Sequence, residues 1–335
     1  GQSGQLCSAA GTGSQPMSRN DYPPVKVGLI GLGTVGGGVT RVLARNAGEI
    51  SRRAGREIII THAAARSLDT IIANTAGMKL TGEALEVVDD PEVTIIVELM
   101  GGYEPARSLV LRALENGKHM VTANKALIAR HGNEIFAAAH AAERMVGFEA
   151  AVAGGIPIIK AIREGLAGNR IEWVAGIING TANFILSEMR DKGRDFARAL
   201  AEAQVLGYAE ADPTFDIEGI DAAHKLTILA SIAFGIPLQF DKVYIDGIRY
   251  ITREDVVYAR QFGYRIKHLG IARCNERGVQ LRVHPTLIPQ QHLLSNVNGV
   301  MNAVLVKGDA VGQSLFYGAG AGAEPTASAV VADLV

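Results

Sequence analysis

The sequence has almost no net charge and no long uninterrupted apolar segment. Its 335 residues include 33 lysines and arginines against 34 aspartates and glutamates, a formal net charge of −1 at pH 7. Binding to nucleic acid or to an anionic membrane surface needs a basic field, so neither is expected as the main partner. A membrane-spanning helix needs roughly 18 consecutive apolar residues, and the chain contains no such run. The composition favours a globular protein, and an enzyme is the leading interpretation.

Cysteine is also scarce, with only Cys7 and Cys274 in the chain. Two cysteines are too few for a disulfide framework, and a cytoplasmic location is expected. Residues 1–24 are rich in Gly, Ser, Gln and Pro and lack an apolar segment behind a basic start. They therefore do not resemble a signal peptide. We expect them to form a disordered tail, with the folded chain beginning at Val25.

Glycine is abundant, and its first cluster follows a short apolar run. VKVGLI at 25–30 is typical of a strand buried on both faces of a parallel sheet. GLGTVG at 31–36 and a helical apolar pattern follow, which is the order of a dinucleotide-binding βα unit. The glycines permit a tight turn and a close approach to a pyrophosphate, which a helix N-terminus attracts. The residues expected at the cofactor are Gly31, Gly33, Thr34, Val35 and Gly36. An ordinary tight turn is the alternative interpretation.

The residue after the second predicted strand bears on the choice of cofactor. In NAD-specific folds an acidic residue near this point binds the ribose 2′-hydroxyl, whereas this chain has Arg66. A guanidinium can pair with a 2′-phosphate and stack on adenine. We therefore favour NADP over NAD. A solvated surface arginine with Asp69 nearby is the alternative.

Strands and helices alternate as far as about residue 150, which predicts an α/β fold with a doubly wound parallel sheet of the Rossmann type. Ligands of such sheets bind at the carboxyl ends of the strands. Lys125 is the last residue of a strand predicted at 118–125 and is therefore a candidate site residue.

Three further elements are predicted from the apolar pattern around this point. A helix is expected at 132–144 and a strand at 145–152. The run at 170–186 is expected to be a long strand that is interrupted by Asn179, Gly180 and Thr181.

The most unusual passage is an acidic stretch inside an apolar region. It holds five carboxylates within twelve residues: Glu210, Asp212, Asp216, Glu218 and Asp221. From about residue 220 the spacing becomes helical, which places Asp221 and Lys225 on one face as an i, i+4 pair. A lysine that is partly buried beside a carboxylate can transfer protons. An exposed ion pair beside a solvated acidic loop is the alternative, at even weight.

Four segments resemble the homoserine dehydrogenase family, and the resemblance extends from Val25 to the C-terminus. The segments are GLIGLGTVGGGV, TANK ending at Lys125, GIINGTANFIL and GYAEADPTFDIEGIDAAHKL. The last of these is much more specific than the glycine loop. The resemblance implies NAD(P)-dependent interconversion of L-homoserine and L-aspartate 4-semialdehyde, in the biosynthesis of threonine, methionine and isoleucine.

The resemblance also implies a role for each site residue. Lys225 would donate the proton to the aldehyde oxygen and act as the base in the reverse reaction, with Asp221 orienting it. Lys125 would lie near both the nicotinamide and the substrate. The substrate pocket would comprise Glu210, which binds the α-ammonium, together with Tyr208, Asp216, Gly180 and Thr181. A late glycine run that includes Gly322 would bring backbone near the cofactor, with a structural turn as the alternative.

A cation site and dimerisation are implied in the same way. The family binds a monovalent cation, usually sodium, through carbonyls that correspond to Glu149, Val152, Gly154 and Ile156. A plain glycine turn is the alternative for that loop. A homodimer or a dimer of dimers is expected. The predicted domains are the tail at 1–24, a dinucleotide-binding domain at 25–150, an α/β domain for substrate binding, catalysis and dimerisation at 151–316, and a C-terminal helix at 317–335 that returns to the nucleotide domain.

Many members of the family continue into a small threonine-binding regulatory domain. We expect this chain to be the catalytic core without that domain, either as a short form or as part of a longer protein. Three other functions were weighed. Aspartate-semialdehyde dehydrogenase needs a cysteine nucleophile, and neither Cys7 nor Cys274 has a catalytic context. A different hydroxy-acid or amino-acid dehydrogenase and a nucleotide sensor are the remaining alternatives, and a sensor would not need Lys225.

Overall fold

The computed structural model describes residues 22–67 and 75–335. Residues 1–21 of the predicted tail, Cys7 among them, and Asp69 lie outside the described residues. The described strands are β1 Val25–Ile30, β2 Ile58–Ala64, β3 Lys79–Thr81, β4 Ile95–Glu98, β5 His119–Thr122, β6 Val146–Gly147, β7 Ile171–Ile177, β8 Tyr244–Ile245, β9 Tyr264–Asn275, β10 Gly278–Pro289, β11 Met301–Gly308 and β12 Gly312–Ala319. The described helices are α1 Thr34–Arg45, α2 Ala47–Ala54, α3 Ala84–Asp89, α4 Ala106–Glu115, α5 Lys125–Ala141, α6 Ile158–Lys160, α7 Gly180–Lys192, α8 Phe196–Val205, α9 Thr214–Ile217, α10 Ile220–Phe234, α11 Arg253–Gln261 and α12 Ala323–Leu334.

The first half of the chain forms a six-stranded sheet in the order β3-β2-β1-β4-β5-β6. All of its strand pairs are parallel. β1 can occupy the middle because its side chains are apolar on both faces; Val27 and Leu29 are fully buried. One face packs against α1 and α12, and the other packs against α3, α4 and α5. The predicted Rossmann-type sheet is confirmed.

The second half forms a mixed sheet in the order β12-β11-β7-β9-β10-β8. Its strand pairs are antiparallel except for β10 with β8. α10 packs against one face, where Leu226 and Leu229 join a core with Val174, Ala272 and Val304. The predicted second α/β unit is therefore present, and α10 begins at the residue where the apolar spacing becomes helical.

Two helices start where the sequence pattern predicts none, each directly after a buried asparagine: α5 begins before the helix predicted at 132–144, and no helix is predicted at α7. α5 begins at Lys125, where Asn124 accepts a hydrogen bond from the N–H of Leu127 at 3.1 Å. α7 begins inside the run predicted as one strand, where Asn179 accepts from the N–H of Ala182 at 2.7 Å. Each asparagine satisfies an N–H that the first helical turn leaves without a partner. The prediction of a strand across 170–186 is therefore wrong after β7.

The predicted strand at 145–152 is also wrong beyond β6, because a 3₁₀ turn follows at Glu149–Ala151. The buried carboxylate of Glu149 accepts hydrogen bonds from the N–H groups of Ile159 and Lys160, each at 2.8 Å. The N–H of Glu149 donates to Asp333 at 2.8 Å. These bonds connect Glu149 to α6 and α12, so its backbone cannot pair within the sheet.

The C-terminal helix α12 lies against α1. Ala327 and Val330 are fully buried there, in a core that includes Val39. Arg45 donates two hydrogen bonds to the carboxylate of Glu324, at 3.0 and 2.9 Å. The helix thus packs on the layer beside the first sheet, while the predicted domain boundaries stay a prediction.

Among the described residues, no helix combines the length and the apolar character that crossing a bilayer would require.

Candidate active site

The glycine turn between β1 and α1 leaves no room for a side chain at two of its positions. Gly31 has a φ of +104°, and its N–H donates to the carbonyl of Ala64 at 2.9 Å. A Cβ on Gly36 would lie 2.1 Å from the carbonyl oxygen of Gly31, whereas a Cβ on Gly33 would meet nothing within 4 Å. Gly31 and Gly36 bring strand and helix together, and Gly33 leaves the space that a pyrophosphate needs.

The N-terminus of α1 has the features of an anion-binding site. Gly33 precedes it without a side-chain hydrogen bond, and the first turn, which starts with Thr34 and Val35, contains no acidic residue. The N–H groups of a first helical turn have no partner within the helix and attract phosphate. Arg66 is exposed two residues beyond β2, the strand that pairs with β1. The glycine turn, the N-terminus of α1 and Arg66 together form the kind of site that binds a dinucleotide.

A cavity of about 290 Å³ opens between this turn and the second sheet. It is lined by Val35, Leu99, Met100, Gly101, Ala123, Asn124, Lys125, Ala150, Ala151, Ala153, Gly154, Lys225, Gly320, Ala321 and Thr326. Gly322, with a φ of +123°, comes directly after two of these residues and precedes α12. The cavity therefore lies at the carboxyl ends of β4 and β5, where ligands of parallel α/β sheets bind.

Two lysines from different layers meet at one carboxylate in this cavity. The Nζ of Lys225 lies 2.7 Å from Oδ2 of Asp221 and donates to the carbonyl of Ile178 at 2.8 Å. The Nζ of Lys125 lies 3.0 Å from Oδ1 of the same carboxylate. The side chain of Asp221 is only 5% exposed. The alternative of an exposed helical ion pair is therefore wrong.

The charges of the two lysines keep Asp221 ionised. Burial opposes its ionisation, but Lys225 and Lys125 outweigh burial and hold the pKa of the Asp221 carboxyl well below its usual value. The charge of Asp221 in turn raises the pKa of Lys125. The ring of Phe215 lies 5.9 Å from the Nζ of Lys125, a contact that the sequence pattern did not indicate. The site thus presents one fixed carboxylate to two amino groups.

Asn179 is a buried site residue that the sequence analysis treated only as part of a turn. Its Nδ2 donates to Oδ1 of Asp216 at 2.7 Å and to Oδ2 of Asp221 at 2.8 Å. Burial and the charge of Asp221 raise the pKa of Asp216. The hydroxyl of Thr181 donates to the carbonyl of Tyr208 at 2.6 Å. The structure therefore brings Asp216 beside Asp221 and joins the Gly180–Thr181 turn to Tyr208.

Family models match the chain on either side of this cavity. A model described as homoserine dehydrogenase, NAD binding domain, matches residues 31–149, and one described as homoserine dehydrogenase matches residues 157–335. The chain belongs to the homoserine dehydrogenase family.

Individual members of the family are similar over most of this chain. The homoserine dehydrogenase of Pseudomonas aeruginosa is 68% identical over 312 residues, which cover 93% of this chain and 72% of that protein. The crystal structure of a homoserine dehydrogenase from Thiobacillus denitrificans is 70% identical with a TM-score of 0.92, covering 93% and 72%. A hyperthermophilic archaeal homoserine dehydrogenase in complex with NADPH is 26% identical with a TM-score of 0.80, covering 93% and 97%.

The activity is that of the family. Homoserine dehydrogenase is an NAD(P)-dependent oxidoreductase that acts on a CH–OH group and interconverts L-homoserine and L-aspartate 4-semialdehyde. The alternatives of aspartate-semialdehyde dehydrogenase, another hydroxy-acid dehydrogenase and a nucleotide sensor are therefore wrong. In agreement, Cys274 is exposed on β9 and does not line the cavity.

The other carboxylates of the acidic stretch face outward. Asp212 accepts a hydrogen bond from the N–H of Thr214 at 3.1 Å, next to the start of α9. Glu218 pairs with Arg249. Glu210 is exposed, and its charge contributes to the raised pKa of Lys125. A solvated loop therefore describes Glu210 and Asp212, whereas Glu218 is half-buried in its ion pair with Arg249.

Glu98, fully buried at the end of β4, joins two loops of the cavity. One carboxylate oxygen accepts from the N–H of Met100 and the other from the hydroxyl of Thr122, both at 2.7 Å. These bonds connect the ends of β4 and β5, which carry Met100 and Lys125 to the cavity wall. No sequence motif indicated a role for Glu98.

The loop predicted to hold a cation is buried and sharply turned. Ala153 and Gly154 have φ values of +55° and +39°, and a Cβ on Gly154 would lie 2.6 Å from the carbonyl oxygen of Gly320. The carbonyl oxygens of Val152 and Gly154 accept no hydrogen bond from the described residues. Those residues also contain no group of three or more His, Cys, Asp or Glu arranged for a metal ion. Carbonyl oxygens, which suit a hard monovalent cation, are thus the ligands that this loop offers.

Proposed function

We propose that Lys225 is the proton donor and acceptor of the reaction. The observation that carries this role is the position of its amino group, which lies at the cavity wall and is held by Asp221 and by the carbonyl of Ile178. Both partners are acceptors, so they orient the ammonium group toward the cavity. A positioned ammonium group stabilises the negative charge that develops on an aldehyde oxygen during reduction.

The two directions of the reaction use the same contacts. The bound nicotinamide supplies or accepts the hydride. In reduction, the ammonium group of Lys225 gives its proton to the oxygen of L-aspartate 4-semialdehyde. In oxidation, the neutral amine takes the hydroxyl proton of L-homoserine, so alkaline pH favours this direction. Asp221 stays ionised in both directions because Lys125 remains beside it.

Substrate binding is assigned to the residues around this pair. Glu210 would bind the α-ammonium group of the substrate, while Asp216, the Gly180–Thr181 turn and Tyr208 complete the pocket. Lys125 would contact both nicotinamide and substrate, and its charge suits a carboxylate. The hydrogen bond from Thr181 to the carbonyl of Tyr208 supports one shared pocket wall.

NADP is proposed as the preferred cofactor. Arg66 is exposed two residues beyond β2, near the turn that fits the pyrophosphate, and a guanidinium at this place in the fold suits a 2′-phosphate. Gly31, Gly33, Thr34, Val35, Gly36 and Gly322 would surround the cofactor with backbone. The archaeal relative is described in complex with NADPH. The ratio of initial rates with NADP and NAD, in the parent and in Arg66→Ala, tests the preference: the ratio should fall in the variant.

A monovalent cation, sodium in our proposal, would be held by carbonyls of the loop at 149–156. The carbonyls of Val152 and Gly154, which accept no hydrogen bond from the described residues, support this assignment. The carbonyls of Glu149 and Ile156 accept from the N–H groups of Val152 at 3.4 Å and Ile158 at 2.7 Å, so each would bind the cation through its second lone pair. A structural role is expected because the loop packs against Gly320 beside the cavity. Replacing sodium by choline should then lower thermal stability.

A homodimer is proposed through the face of the second sheet that lies opposite α10. Leu315, Leu305, Ala175 and Ile271 form one row across four strands. Leu305 and Ala175 are already buried within the chain, so the exposed apolar part of this face lies on β12, where Leu315 is 36% and Tyr317 is 58% exposed. An apolar sheet face of this kind is typical of an interaction surface. Sedimentation would show a monomer if the proposal were wrong.

We further propose that the enzyme works in the cytoplasm, in the biosynthesis of threonine, methionine and isoleucine.

The decisive experiment is the replacement Lys225→Met, followed by nicotinamide absorbance with L-homoserine. Turnover should fall by roughly 10²–10⁴-fold, the usual contribution of a general acid or base. The fold should persist because Asp221 keeps Lys125 and Asn179 as partners. Cofactor affinity, measured by fluorescence, should change little. Lys242→Met, at an exposed lysine, is the control. Near-normal turnover in Lys225→Met would refute the assigned role.

A further inference from the structure

Asn179 uses every polar atom of its side chain within the site. It lies between the end of β7 and the start of α7 and is 6% exposed. Its amide nitrogen donates to Asp216 at 2.7 Å and to Asp221 at 2.8 Å. Its amide oxygen accepts from the N–H of Ala182 at 2.7 Å. One side chain therefore connects two carboxylates to the first turn of a helix.

The shared donor acts on two carboxylates that repel each other. Both carboxylates accept from the same Nδ2, at 2.7 and 2.8 Å. Burial and the charge of Asp221 raise the pKa of Asp216. An N–H group placed between them favours the ionised form of both. It also fixes the orientation of Asp221, because Oδ2 then faces Lys225 and Asn179 while Oδ1 faces Lys125.

The same side chain connects proton transfer with substrate binding. By capping α7, Asn179 fixes the backbone of the Gly180–Thr181 turn, which the proposed function assigns to the substrate pocket. By contacting Asp221, it fixes the acceptor that orients Lys225. An error in the position of Asn179 would thus move the substrate and the amino group relative to each other, and reacting groups tolerate little misplacement.

We propose that Asn179 is a positioning residue for the homoserine dehydrogenase reaction, which it serves by bridging Asp216 and Asp221 and so orienting Lys225. This inference rests on the proposed role of Lys225. The charged and titratable groups around the bridge are Lys225 and His224 from α10, Lys125 from α5 and Glu210 from the loop before α9.

The replacement Asn179→Ser separates the bridge from the helix cap. Serine is a good N-cap residue, so α7 and the overall stability should be retained. Its single short hydroxyl cannot donate to both carboxylates. We expect turnover to fall about tenfold or more, the equivalent of one hydrogen bond to a charged group. The dissociation constant for NADP should be unchanged, because Asn179 does not line the cofactor turn.

The pH profile supplies a readout that a purely structural role would not move. Without the amide donor the carboxylates bind protons more tightly. Lys225 then no longer shares Oδ2 of Asp221 with a second donor. Both effects make the cluster more basic. The acidic limb of kcat/KM for homoserine oxidation should therefore move to higher pH, as a property of the coupled cluster.

Asn183→Ser is the matched control. Asn183 is also a buried asparagine of α7, but its amide donates to the carbonyls of Val297 and Gly299, away from Asp221. This variant should lose stability without moving the acidic limb. The proposal is overturned if Asn179→Ser keeps the parental turnover, or if its acidic limb coincides with that of Asn183→Ser.

The failure of this proposal is distinct from that of the proposed function. Normal turnover in Lys225→Met would remove the role of Lys225, and the bridge proposal with it. Loss of turnover in Lys225→Met together with a parental rate and pH profile in Asn179→Ser would overturn only the role of Asn179.

Discussion

At the scale of single residues, two lysines that are largely withdrawn from solvent have opposite electrostatic environments. Lys225 lies beside the carboxylate of Asp221, which compensates its charge. Lys267 on β9 is 1% exposed, and within the part of the chain that the structure describes its amino group donates to neutral acceptors, among them the amide oxygen of Asn183 at 3.0 Å and the carbonyl of Val297. Burial, with the charges of nearby arginines, lowers the pKa of Lys267 to about 7. Neutral acceptors orient an ammonium group but do not offset its lost hydration.

Because its pKa differs between the folded and unfolded chain, Lys267 makes the free energy of unfolding depend on pH. The pKa of an unfolded lysine is about 10.4, so between pH 7 and that value the unfolded chain binds a proton that the folded chain does not. The free energy of unfolding should rise with pH across this window. Lys267→Met should remove that rise. Urea unfolding at about pH 7 and about pH 10 measures it; parallel pH dependence in parent and variant would contradict the prediction.

At the scale of elements, local signals predicted some boundaries and missed others. β1, the glycine turn and α1 follow one another in the chain, so their contacts form between near neighbours and show in the sequence. The start of α5 and the whole of α7 were missed because asparagine, which precedes each helix, is also a common turn residue. Their caps depend on how the side chain turns back onto the helix, which apolar spacing does not record.

Two glycines in neighbouring helices give a matched pair of tests. A Cβ on Gly36 would clash with the backbone oxygen of Gly31, whereas a Cβ on Gly48 in α2 would meet nothing within 4 Å. Gly48→Ala should raise the free energy of unfolding by up to about 1 kcal/mol, because alanine favours a helix. Gly36→Ala should lower it and weaken NADP binding. Chemical denaturation and cofactor titration would decide, and equal effects at both glycines would contradict the steric argument.

Over the whole molecule, the site depends on how α5 lies against the second half of the chain. Lys125 begins this helix, and contacts further along fix it to the segment at 238–241. Asn133 and the backbone of Leu238 exchange two hydrogen bonds, each at 3.0 Å. Arg130 contacts Asp241 at 3.0 Å and the ring of Phe240, whose centroid is 4.2 Å away. These contacts hold Lys125 opposite Asp221.

Removing the paired hydrogen bonds should loosen this attachment. Asn133→Ala leaves the N–H and the carbonyl of Leu238 without their partner, and a loss of about 1–2 kcal/mol in the free energy of unfolding is expected. His140→Ala, at an exposed residue of the same helix, should have little effect. Urea unfolding of the two variants side by side tests this, and indistinguishable midpoints would contradict it.

The sequence by itself determined the features that depend on residues close together in the chain. The glycine turn, the parallel order of the first strands and the pairing of Asp221 with Lys225 arise within one turn or one βα unit, so spacing predicts them. Only the tertiary structure decided that Lys125 contacts the same carboxylate, that Asn179 bridges Asp216 and Asp221, and that Glu149 turns the chain out of the sheet. These contacts join residues far apart in the chain, and they form only when both sheets and their helices have packed together.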